Sequence, residues 1–104
     1  MNGKMVWKVV ITDEAAEIFK SKTLSSDDLE TIQTWAKTVM KYGPKKLHEQ
    51  PHKWADHPLF GVWVEHRSSS FSYKGRIIYK VEAQIITVMV VRITADHDYQ
   101  KREK

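Results

Sequence analysis

Apolar and polar residues alternate over residues 5–11, with Trp7, Val9 and Ile11 on one side and Lys8 between them, which predicts a strand. The period then changes. In "TDEAAEIFKSK" Ala15, Ile18 and Phe19 recur at helical spacing behind Thr12, a plausible N-cap, while Asp13 and Glu14 suit the positive end of a helix dipole. A longer helix is predicted over "SSDDLETIQTWAKTVMKYGP". Ser25 or Ser26 caps it, Leu29, Ile32, Trp35, Ala36, Val39 and Met40 form its stripe, and Gly43 followed by Pro44 ends it. Residues 44–60 contain all three prolines, Pro44, Pro51 and Pro58, and read as an ordered connector. Three further strands are predicted at 61–67, 73–81 and 85–93, joined by "SSSFS" and by a tight "EAQ" turn. The order β-α-α-β-β-β predicts an α+β fold, a mostly antiparallel sheet with the two N-terminal helices packed on one face.

At 104 residues the chain is expected to form one domain, 1–104, around a single modest core. It has no cysteine, which excludes a disulfide framework and a thiolate metal site and fits a reducing, cytoplasmic setting. No apolar stretch nears the ~20 residues that span a bilayer, and "MNGKMVWKVV" has no signal-peptide core. The net charge of +4 is uneven: residues 1–40 carry five Lys/Arg against six Asp/Glu, 41–60 four against two, and 61–104 eight against five. Such a basic C-terminal half favours a polyanion such as nucleic acid, or an acidic protein partner.

Strand direction predicts where the titratable groups meet. If 61–67 runs up, 73–81 down and 85–93 up again, His66, Arg67, Lys74, Arg76, Arg92, His97 and Tyr99 converge on one edge. Their chemistry suits phosphodiester cleavage by a ribose 2′-hydroxyl, which needs a base, an acid for the leaving oxygen and cations for the phosphorane. His97 and His66 titrate nearest neutrality and are the acid–base candidates. Arg76, on a strand, can hold phosphate oxygens, and as a surface charge it is expected to contribute little to folding. Tyr99 can stack on a base or orient the reacting group. Asp96 or Asp98 can fix the tautomer of His97, although each is more often a loop-capping residue. Arg67, Lys74, Arg92 and Lys101 complete the set of candidate RNA-binding cations.

"HEQPH" (residues 48–52) matches the H-E-x-x-H pattern of zinc proteases. That chemistry needs both histidines on one face of a regular helix, and Pro51 lies inside the motif. We reject it, and expect no metal and no cofactor.

The phrase "GRIIYKV" after "GVWVEHR", a buried strand ending in a His-containing tail, and the β-α-α-β-β-β order together resemble the RelE/ParE superfamily of bacterial toxins. "DHPLFG" (56–61) and "ADHDY" (95–99) look closest to its YafQ-like branch. The resemblance implies a ribosome-dependent endoribonuclease that cuts mRNA in the A site without metal, with the 70S ribosome, mRNA and a cognate antitoxin as partners. By position, His57 matches the "DHPL" histidine, His66 the strand histidine, His97 the C-terminal one, Arg76 the strand arginine and Tyr99 the terminal aromatic. The sequence departs from that branch after His66, where "RSSSF" lacks its acidic residue. An alternative within the same superfamily is a ParE-like DNA gyrase inhibitor without nuclease activity.

Overall fold

The computed structural model describes residues 7–82 and 87–95. Strand β1 (Lys8–Ile11) passes directly into helix α1 (Asp13–Lys20), where Thr12 Oγ1 accepts the Ala15 N–H at 3.1 Å. Helix α2 (Ser26–Tyr42) opens with a capping box: Ser25 Oγ accepts the Asp28 N–H at 3.0 Å and the Asp28 carboxylate accepts the Ser25 N–H at 3.1 Å. It stops at Gly43, whose φ of +85° carries the chain past Trp7 so closely that a Cβ there would sit 2.7 Å from the indole nitrogen.

The proline-rich connector is two single turns of helix, α3 (Lys45–His48) and α4 (Pro51–Trp54), followed by a two-residue edge strand β2 (His57–Pro58). The break between α3 and α4 falls inside "HEQPH", so those two histidines belong to different helices. A 3₁₀ turn (Gly61–Trp63) then leads to β3 (Arg67–Ser70), β4 (Arg76–Glu82) and β5 (Thr87–Thr94). The five strands lie in the order β1-β5-β4-β3-β2, with β1 parallel to β5 and every other pair antiparallel. This is the expected α+β architecture, a mostly antiparallel sheet with the helices on one face.

The boundaries correct one expectation. Residues 61–66 are not a strand: Phe60, Val62 and Val64 are exposed on a turn with positive φ at Gly61 and Glu65, and only Arg67 of the expected segment pairs in the sheet. The strand is the serine run, which its composition would make a link. Its serines are buried because they have partners, as described below.

Trp35, Val39, Leu47, Trp54, Ile77, Tyr79, Val90 and Ile93 fill the core between helices and sheet. Of the predicted stripes, Ala15 and Ile32 are buried, whereas Phe19, Leu29 and Met40 remain partly exposed. A bulge sets the faces of β5. Ile78 pairs with Arg92 and Tyr79 with Val90, leaving Val91 as the extra residue. Because of that one residue, Val90 and Ile93 both reach the core while Arg92 faces the other way. Among the described residues no helix is long and apolar enough to cross a membrane.

Candidate functional site

Cross-strand partners share a face of the sheet, so the register sorts the candidates. On the helix side run Pro58, Arg67, Tyr79 and Val90, and beside them Ser69, Ile77 and Ile93. On the open side run His57, Ser68, Ile78 and Arg92, and beside them Ser70, Arg76 and Thr94.

Arg67 is therefore turned away from the open face. Its Nε donates to Asp56 Oδ1 at 2.6 Å, and the Asp56 side chain is completely buried. Ser69 Oγ and Tyr79 Oη donate to the other carboxylate oxygen at 2.6 and 2.7 Å, and Trp35 Nε1 donates to Ser69 at 3.0 Å. The first residue of the "DHPL" run is thus the hub that ties the connector to the sheet. Burial first, then the neighbouring Asp56 carboxylate, pushes the Tyr79 phenol far above its ordinary pKa.

Other candidate residues lie on the opposite side of the sheet or beside it. His57 Nδ1 lies 2.8 Å from the Ala55 carbonyl, and His66 Nδ1 lies 3.2 Å from the Val64 carbonyl. A carbonyl only accepts, so each bond needs its proton on Nδ1 and leaves the lone pair of the neutral ring on Nε2. His66 meets Trp63 edge-on at 5.3 Å between ring centroids, and the Arg92 guanidinium lies 5.1 Å from the centre of the Trp63 ring. Arg92 also donates to Glu14 at 2.8 Å. Next to this row, Arg76 Nη1 donates to the carbonyls of Gly75, Tyr73 and Ser72 at 2.8, 3.3 and 3.4 Å, which holds the 71–75 turn closed. That replaces the expectation of a surface charge without a folding role. The hydroxyl of Thr94, opposite Arg76, is buried with no hydrogen-bond partner among the described residues.

Strand direction alone predicts these groups on one edge; among the described residues Arg76 and Arg92 share one face of the sheet and Arg67 lies on the other. His66 and Arg67 sit at the start of β3 rather than at the end of a rising strand, near Tyr79 and away from Arg76. They border a cleft of ≈ 280 Å³ with Pro58, Lys80 and Val81. Lys74 lies in the exposed turn before Arg76. His97, Tyr99 and Lys101 lie outside the described residues. Sequence reasoning misses Trp63, Glu14 and Asp56. The first falls in an apparent strand, the second reads only as a dipole partner, and the third only as part of a motif.

No protein-family model matches the chain, and no curated protein matches it in sequence. Solved structures do. The chain superposes on the YafQ structure from E. coli with a TM-score of 0.66 at 15% identity, covering 84% of this chain and 90% of that one. The RelE–RelB complex of Pyrococcus horikoshii gives 0.68 at 15% identity, covering 89% and 97%. The RelBE toxin–antitoxin complex of Mycobacterium tuberculosis gives 0.65 at 18%, covering 89% and 99%. The fold is that of the RelE/YafQ-type toxins. In this RelE/YafQ-type fold His57, Arg76 and Arg92 lie on the face of the sheet opposite Tyr79 and the helix-packed core.

Proposed function

We propose that this protein is the toxin of a type II toxin–antitoxin pair, a ribosome-dependent endoribonuclease that cleaves mRNA in the A site. The observation that carries the reading is the pair of imidazoles, His57 and His66, each tied through Nδ1 to a backbone carbonyl, with His57 on the face that bears Arg76 and Arg92 and His66 linked to Arg92 through the Trp63 ring. A fold alone would not suffice, since related scaffolds host unrelated activities.

One of these imidazoles takes the proton of the ribose 2′-hydroxyl as its oxygen attacks the adjacent phosphorus. The P–O5′ bond breaks, the leaving oxygen receives a proton from an acid, and a 2′,3′-cyclic phosphate remains. His97, in the C-terminal tail, is the candidate acid, and Tyr99 is the candidate that stacks on or orients the substrate. Guanidinium groups stabilise the charge that grows on the non-bridging oxygens. Arg92 is suited to this, because Glu14 and Trp63 fix it before substrate arrives. These side chains supply base, acid and cation without a metal.

Structural neighbours solved as toxin–antitoxin complexes support an antitoxin partner here. We expect a largely acidic chain that folds in part on binding. The test is a translation extract given the purified protein and a defined mRNA, with cuts mapped by primer extension. Codon-phased cuts that disappear in Arg92→Ala and His97→Ala support the nuclease. Intact mRNA together with inhibited gyrase supercoiling would instead favour the ParE-like alternative.

A further inference from the structure

A second charged surface lies on the helix side, away from the proposed cleavage face. Residues 37–54 carry five lysines against one acid, a balance of +4 that equals the net charge of the whole protein. Lys37, Lys41, Lys45 and Lys53 are exposed, and they come from the C-terminal half of α2, from α3 and from α4. Leu47 and Trp54, both fully buried, hold α3 and α4 against the core, with α3 packed on α2 and α4 on α3.

Lysines near the end of α2 are favoured by its dipole, but that accounts for Lys41 alone. Among the described residues only Lys46 of this set meets a carboxylate, Glu49 at 3.9 Å, and that pair is too exposed to matter. The other four lysines, without counter-charges among the described residues, repel one another, a cost that a bound polyanion removes. At the centre is Tyr42, half exposed, with Lys41 Nζ and Lys46 Nζ each 5.3 Å from its ring. An accessible aromatic ring bracketed by ammonium groups suits an unpaired base whose phosphates lie on the lysines. Lys37 and Lys41 stand about 6 Å apart along the helix axis, comparable with the step between successive phosphates of one strand.

We infer that the platform of α2, α3 and α4 is a docking surface for folded RNA, an RNA hairpin whose backbone meets the lysines and whose splayed loop base meets Tyr42. An acidic peptide matches the charge too. A peptide that folds on binding, however, needs an apolar groove for its anchors, and this surface offers only Tyr42 and Met40.

The test uses the full chain and a fluorescein-labelled RNA hairpin, with anisotropy followed through a salt titration. In the triple variant Lys41→Ala, Lys45→Ala, Lys53→Ala, the slope of log Kobs against log salt becomes shallower by about 2 to 3. The control triple Lys8→Ala, Lys20→Ala, Lys22→Ala keeps the wild-type slope. Tyr42→Leu weakens binding severalfold with little change in slope. Equal losses in both triples would reduce the effect to net charge and overturn the inference. So would poly-glutamate bound as tightly as the hairpin, charge for charge, which would assign the platform to an acidic protein. All readouts are of binding, so this surface stands or falls separately from cleavage.

Discussion

Tyr79 donates its phenolic hydrogen to Asp56 across 2.7 Å, joining the middle of β4 to the residue just before β2. With Arg67 and Ser69 on the same carboxylate, this bond fixes the edge strand from which His57 projects onto the opposite face. Positioning on the open side thus begins with a buried anion on the closed side.

Asp56→Ala leaves a guanidinium and two hydroxyls without their acceptor, and should cost about 3–5 kcal/mol in urea unfolding. Tyr79→Phe removes one donor and keeps the ring against Trp35, so it should cost about 1–3 kcal/mol. A smaller loss for Asp56→Ala than for Tyr79→Phe would show that the carboxylate is not the hub.

His48 adds a pH dependence. Burial, then the Arg67 guanidinium, lowers its pKa below the ordinary 6.5, against the opposing pull of Asp56, 3.5 Å away, and of Glu49. A histidine whose pKa is depressed in the folded state binds its proton more readily when unfolded. Its contribution to stability is therefore present above about pH 6.5 and is lost as the pH falls through the folded value. His48→Gln should flatten the fall in unfolding free energy between about pH 7 and about pH 5 while leaving the value at higher pH nearly unchanged. An identical pH profile in the variant would remove His48 from this role.

The helices are legible in the sequence because their signals are local: Ser25, one of the two serines expected to cap α2, does so with Asp28, and Gly43 stops α2 where it should. The third strand is not. Its neighbour "GVWV" has the alternation and bulk of a strand, yet Val62 is 93% exposed on a turn, whereas the polar "RSSS" pairs on both sides. Ser69 is buried because Trp35 and Asp56, 34 and 13 residues away, satisfy its hydroxyl. No window of sequence holds that information. The bulge at Val91 is hidden for the same reason, and with it the fact that Arg92 and Arg76 share a face while Arg67 does not.

Trp63 gives a prediction for binding. It lies between His66 and Arg92, contacting both, while Glu14 holds the guanidinium from its other side. Trp63→Leu should release Arg92 to other rotamers and weaken single-stranded RNA binding severalfold. The melting temperature should move by only a few degrees, because the ring is only partly buried. Unchanged affinity would mean that Arg92 needs no support from the indole.

Arg76 separates folding from chemistry. Its Nη1 fan over Ser72, Tyr73 and Gly75 closes the turn that starts β4, so Arg76→Ala should cost about 1–2 kcal/mol as well as lowering cleavage. Arg76→Lys keeps a cation on the open face but cannot reproduce the planar fan. If the residue serves mainly the turn, both variants lose similar stability, and cleavage per folded molecule recovers in the lysine form. If the guanidinium also holds phosphate oxygens, the lysine form stays slow even where circular dichroism shows it fully folded. We expect the second outcome, since Arg76 shares its face with Arg92 and His57. Full activity in the folded alanine variant would limit Arg76 to the turn.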